Sequence, residues 1–98
     1  MGTLMDYSRP IRVTASGVAL NRPTSVCAVT GRTGTTDAVV LLRDGGATGA
    51  VMWDFEIDSS DSSPCHTFNP PIRFYNNVYV EIQCPAGNVA VSLAVVEN

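Results

Sequence analysis

Lysine is missing from this 98-residue chain, and its six basic residues are the arginines at positions 9, 12, 22, 32, 43 and 73. That absence removes the P-loop lysine, Schiff-base chemistry and any lysine base. The arginines are scattered singly against nine acidic residues, for a net charge of −3 and a pI of 4.7. Nucleic-acid binders usually show a basic stripe and a pI above about 9, so nucleic acid is not expected as a ligand. Long apolar runs are missing too. None approaches the roughly 18 residues that cross a bilayer, so no membrane partner is expected. Residues 1–10 lack the apolar core of a secretory signal. Charged residues make up 15% of the chain and hydrophobic ones 45%, which excludes intrinsic disorder. A chain of this length is one domain with a modest core, burying about 60–65% of its unfolded surface.

Groups able to do chemistry are sparse. Histidine and tryptophan occur once each, and the three cysteines are Cys27, Cys65 and Cys84. Small secreted scaffolds usually carry an even, denser cysteine set, so three reduced thiols are the simpler reading, with a Cys65–Cys84 bridge as the alternative. Reduced thiols favour assembly in a reducing cytoplasm. Cys27, Cys65, His66 and Cys84 form a nominal zinc set, but structural zinc sites need a closely spaced ligand pair that is absent here. Asp58 and Asp61 lie in a polar loop without the remaining calcium-loop positions. Gly31-Arg-Thr-Gly34 lacks the lysine and helix of a phosphate loop and is expected to be a turn. Asp54, Glu56 and Asp58 share one face of a strand, as the wet face of a sheet would. No catalytic residue, metal or cofactor is expected, and the chain is expected not to be an enzyme.

What is abundant is β-formers: thirteen valines and nine threonines. Both are β-branched and suit a pleated sheet. Short alternating runs recur between Gly, Pro, Asn and Ser clusters, the pattern of a sandwich or barrel. The runs are 11–20 (with Gly17 as a bulge), 24–30, 37–43, 51–58, 72–75, 78–84 and 89–96. About seven short strands therefore predict an antiparallel β-sandwich of jelly-roll-like form, spanning 11–98 behind an N-terminal arm, 1–10. Asp44-Gly45-Gly46 and Asn76-Asn77 read as hairpin turns. Val51, Trp53, Phe55, Ile57, Val78, Val80 and Ile82 are the predicted core. The stretch 59–71 reads as a long irregular loop.

Two features point to contacts with other chains. In the last run Val89, Val91, Leu93 and Val95 share a face, while the opposite face is Ala90, Ser92, Ala94 and Val96. A solvent-facing strand normally shows charged or long polar residues there. This face is expected to be covered, either by the arm or, preferentially, by another subunit. The 59–71 loop, with Pro64, His66 and Phe68, is expected to drape on a coat or neighbouring subunit.

The run Thr67-Phe-Asn-Pro-Pro-Ile-Arg-Phe-Tyr-Asn-Asn-Val-Tyr-Val-Glu-Ile82 follows Leu42-Arg-Asp-Gly-Gly-Ala-Thr-Gly-Ala-Val-Met-Trp53. The pattern resembles small all-β virion proteins of tailed bacteriophages, of the capsid cement (decoration) or tail accessory type. The likeness spans residues 11–96, with Asn77 standing where glycine is more typical of the turn. It implies a non-enzymatic structural protein that clamps coat subunits, assembled in the host cytoplasm and resident in the virion. It also implies a homo-oligomer, a trimer by preference, with the major capsid or other virion proteins as partners. A tail or baseplate component is the sister reading. A carbohydrate- or cell-surface-binding β module is the alternative from a different class.

Overall fold

Alternation of β-branched with small or polar residues gives eight strands and no helix among the described residues. A computed structural model describes residues 9–34, 36–59, 64–84 and 89–97. The strands are β1 (Arg9–Val13), β2 (Gly17–Leu20), β3 (Thr24–Thr33), β4 (Ala38–Asp44), β5 (Ala50–Ile57), β6 (Cys65–Phe74), β7 (Val78–Gln83) and β8 (Val89–Glu97). They pair antiparallel as nested couples: β1 with β8, β2 with β7, β3 with β6 and β4 with β5. Ladders β3–β8 and β4–β7 then join the couples into two four-stranded sheets, ordered β1-β8-β3-β6 and β2-β7-β4-β5. Nested couples rolled into two sheets are a jelly-roll sandwich.

The core lies between the sheets and is mostly valine. Val91, Leu93 and Val95 of β8 join Val40 and Leu42 of β4 and Val78 and Val80 of β7 in one cluster, all essentially inaccessible. Valine occupies few rotamers, so such a core orders with little side-chain entropy to lose. Phe74 is the largest fully buried side chain.

Several elements differ from the sequence expectation. The run 11–20 is two strands in different sheets, because the chain crosses between sheets at residues 14–16. Ser16 Oγ accepts the Ile82 N–H at 2.8 Å at that crossing. β1 begins at Arg9, so Arg9 and Pro10 pair with β8 beside Val95 and Ala94 rather than forming an arm. Residues 1–8 of that arm lie outside the described residues. Gly31-Arg-Thr is not a turn: β3 continues to Thr33 against Val89–Val91 of β8. In β5 one extra residue, Met52, sits between the pairs Leu42–Trp53 and Arg43–Val51. This bulge turns Val51 to the outer face, where it is 44% exposed, and Met52 packs against the core instead.

The second half of the expected loop, from Cys65, is β6, an edge strand. Its pairing with β3 is split, since Val26 faces Ile72 and Ala28 faces Thr67. Phe68 to Pro71 therefore arch away from the ladder opposite Cys27. An edge position tolerates Pro70 and Pro71, which have no N–H to donate. The Asn69–Pro70 peptide is cis. Of the rest of the expected loop, residues 60–63 lie outside the described residues.

Asn76-Asn77 is likewise not a hairpin, because β6 and β7 belong to different sheets. These residues form a crossing that is clamped to the β4–β5 turn. Asp44 accepts the backbone N–H groups of Tyr75, Asn76 and Asn77 at 2.9, 2.9 and 3.4 Å. Asn77 Oδ1 in return accepts the N–H groups of Gly45 and Gly46. Both glycines have positive φ, 107° and 91°, which an L side chain resists.

Burial alone would raise the Asp44 pKa, but the three backbone donors and the Asn76 side chain outweigh it and hold the carboxyl below its ordinary 3.8. The native state therefore favours ionised Asp44. Its contribution is present above pH 3.8 and is lost as pH falls through the lower native value. Asp44→Ala should destabilise the fold by about 0.5–2 kcal/mol at neutral pH, as loss of a comparable backbone cap does. The gap between variant and wild type should narrow steadily in urea titrations taken below pH 4. A gap independent of pH would disprove the clamp's reliance on the charge.

Candidate interaction faces

The outer face of the first sheet follows from the register. Pro10, Ala94, Ala28 and Thr67 make one row across it, and Arg12, Ser92, Thr30 and Cys65 the next. Val96, Ser25 and Arg73 lie to one side of these rows, and Ala90 with Arg32 to the other. The centre of the face is thus small side chains, and arginines stand around it. No described side chain on it is acidic. Arg12 and Arg32, on the two strands flanking β8, border a cleft of about 510 Å³ floored by Val89 and Ala90. A depression of about 200 Å³ beside it is lined by both arginines, Thr30, Gly31, Ala90 and Ser92. Arg73 is tethered within this face: it donates to Ser25 Oγ at 3.3 Å and lies 5.9 Å above the Tyr75 ring.

The outer face of the second sheet has the opposite charge. Glu56, Val39 and Gln83 form one row, and Asp54, Leu41 and Glu81 the next. Beyond them lies the row Val51, Arg43, Tyr79 and Val18. Arg43 Nε donates to Glu81 Oε1 at 2.8 Å, and its second nitrogen donates to the Gly49 carbonyl. A hydrogen bond from Gln83 and this one from Arg43 hold the Glu81 carboxyl below its ordinary range. At the end of this sheet Asp37, Glu56 and Asp58 border a cleft of about 400 Å³ with Val39, Ile57 and Cys84 in its lining. Asp37 there accepts the Ser59 N–H at 2.8 Å. Among the described residues no three His, Cys, Asp or Glu side chains are grouped closely enough to hold a metal ion.

The contact residues expected from sequence separate into two groups. Ala90, Ser92, Ala94 and Val96 project together from the outer face of β8, a central strand, with Ser92 the most open. Nothing among the described residues lies over them, since β1 pairs beside β8 rather than across it. His66 and Phe68 point the other way, between the sheets. Their rings pack on β5: His66 lies 5.0 Å from Phe55 and 5.7 Å from Trp53, and Phe68 lies 4.9 Å from Trp53 in an edge-on arrangement. Together they seal the open side of the sandwich where edge strands β5 and β6 meet. Trp53 is half-buried in this seal, and its indole N–H has no hydrogen-bond partner. Pro64 accepts the Gly31 N–H at 3.2 Å through its carbonyl. Cys65 alone of the three free thiols is exposed, on the arginine face, while Cys84 lies beside Thr33 with Sγ 3.9 Å from its hydroxyl.

Sequence reasoning found the small-residue stripe of β8 but missed the arginines around it. Arg12, Arg32 and Arg73 are far apart along the chain, and only the β1-β8-β3-β6 order brings them onto one surface. The outward parity of Arg12 and Arg32 within their strands is the one sequence signal that bore on it.

The class of protein that fold and surfaces define is a jelly-roll β-sandwich with two open, oppositely charged faces. No family model matches the chain, and no curated protein or solved structure matches it either.

Proposed function

We propose that this chain is a non-enzymatic structural subunit of a tailed-phage particle, a cement protein that seats on the coat lattice as a homotrimer. The single observation carrying this reading is the outer face of β8, small and uncharged on a central strand, with nothing among the described residues lying over it. Small side chains let a second sheet or backbone approach closely, and contiguous patches of this kind mark contact sites. In the Thr67–Ile82 run that resembles cement proteins, β6 is the edge of the sheet that holds β8, and β7 belongs to the other sheet. Eight-stranded jelly rolls recur in viral capsids, and also in lectins and cupins, so the fold contributes by analogy only. The tail or baseplate reading shares the same face, and finding the chain in purified heads or in purified tails separates the two. For the carbohydrate-binding alternative, the only large, strongly exposed aromatic among the described residues is Tyr75.

Ala94→Arg tests the proposal. The residue faces outward between Pro10 and Ala28, so the melting temperature of the isolated chain should change little. Incorporation into particles should be lost. Normal incorporation of the folded variant would refute the contact.

A further inference from the structure

We propose that the two outer faces are complementary halves of one contact, the arginine face of one copy docking on the acidic face of a second copy of this chain. This goes beyond the virion reading and holds whatever particle the chain belongs to. Charge is sorted by sheet. Arg12, Arg32 and Arg73 project from the first sheet, whose described outward side chains include no acid, whereas Asp54, Glu56 and Glu81 project from the second. Four of these groups are also unspent. Within the described residues Arg43 is paired with Glu81, but Arg12, Arg32, Asp54 and Glu56 hold no ion pair or hydrogen bond. Two free arginines on one face and two free carboxylates on the other are complementary in charge, as contacting surfaces are.

The shapes agree with the charges. Arg12 and Arg32 stand on strands separated by β8, about 9–10 Å apart across the sheet. They are offset by two residues, about 7 Å, along it, since Arg12 is opposite Ser92 and Arg32 opposite Ala90. They border the cleft of about 510 Å³. Asp54 and Glu56 are two residues apart on β5, about 7 Å along an edge strand. An edge carrying two carboxylates is narrow enough to lie between the two guanidinium groups, where each arginine can grip a carboxylate in bidentate fashion. Apolar surface meets apolar surface behind them. Ala90 and Ala94 on one face would oppose Leu41 and the exposed Val51 and Val18 on the other, the last two 44% and 50% accessible. The contact uses different patches on the two copies, so it is heterologous. It closes into a ring where the rotation permits and otherwise grows as a filament. An unrelated acidic partner would need only the arginine face and would leave the exposed valines of the other sheet unexplained.

Sedimentation velocity with charge-reversed chains tests this. Wild type should self-associate at low salt and dissociate as salt rises, because the Debye length falls from about 30 Å at 0.01 M to about 3 Å at 1 M. R12E/R32E and D54R/E56R should each weaken self-association by about tenfold or more, since like charges then face each other. Mixing the two variants should restore association, because each supplies the face that the other has lost. The mixture also guards against misfolding, since an unfolded variant could not restore it. A wild-type chain that stays monomeric at low salt would overturn the proposal. So would association that survives both reversals, or a mixture that stays dissociated.

Discussion

Phe74→Ala is expected to remove about 3–5 kcal/mol of folding stability, most of what a domain this small possesses. Phe74 ends β6, is wholly inaccessible and lies between the sheets beside Thr24 of β3. Truncation loses the transfer energy of the ring and leaves a cavity that stiff valine neighbours cannot fill. Trp53→Ala should cost less, although tryptophan is the larger residue. Trp53 lies at the rim of the sandwich, is only half-buried, and keeps an indole N–H without a partner. Removing that N–H recovers part of the loss, because an unpaired buried donor is itself unfavourable. Equilibrium urea unfolding of both variants gives the comparison. If Trp53→Ala proved the more damaging, the core would be centred on the aromatic seal of β5 and β6 and not on Phe74.

Gly31→Val is the second change with a large expected effect, about 2–3 kcal/mol or more of destabilisation by overpacking. Gly31 faces inward in the middle of the sandwich, and a Cβ there would lie 2.5 Å from Ile57 Cδ1 and 3.2 Å from the Phe55 ring. Glycine is needed at this position for space. Both neighbours are buried, so neither has open room to retreat into. The clash names its own remedy. Ile57→Val removes the offending methyl and alone should cost about 0.5–1.5 kcal/mol. Combined with Gly31→Ala it should cost clearly less than the two separate losses added together, a coupling that a double-mutant cycle reads directly. Strict additivity would mean that the strain at Gly31 is relieved elsewhere.

The sequence pattern alone determined the class of fold and much of its facing. Runs of valine and threonine with a period of two could only be strands, and in β7 and β8 the alternation marked correctly which side would be buried. Gly45 and Gly46 announced their turn, because positive φ is a local demand on the backbone. These properties depend on a residue and its near neighbours, which is why they can be read without a structure. The same holds for the small outward stripe of β8.

Only the tertiary structure decided which strands are partners. β1 pairs with β8, at the far end of the chain, while β6 and β7, adjacent in sequence, lie in different sheets. Asn76-Asn77 has the residues of a hairpin turn, yet the burial of Phe74 and Val78 between two sheets, with Asp44 as the clamp, makes it a crossing. The Met52 bulge turned Val51 outward, since one inserted residue reverses every face beyond it. Pro70 and Pro71 suggested a loop from their missing N–H groups, but an edge strand that arches off its ladder accommodates them. Charge followed the same rule. The arginines look scattered in the sequence and become a face only once β1, β3 and β6 are assembled around β8. Strand pairing is non-local: it is settled by how much apolar surface distant segments can bury together, and a pattern of period two gives each strand its faces without naming its neighbour.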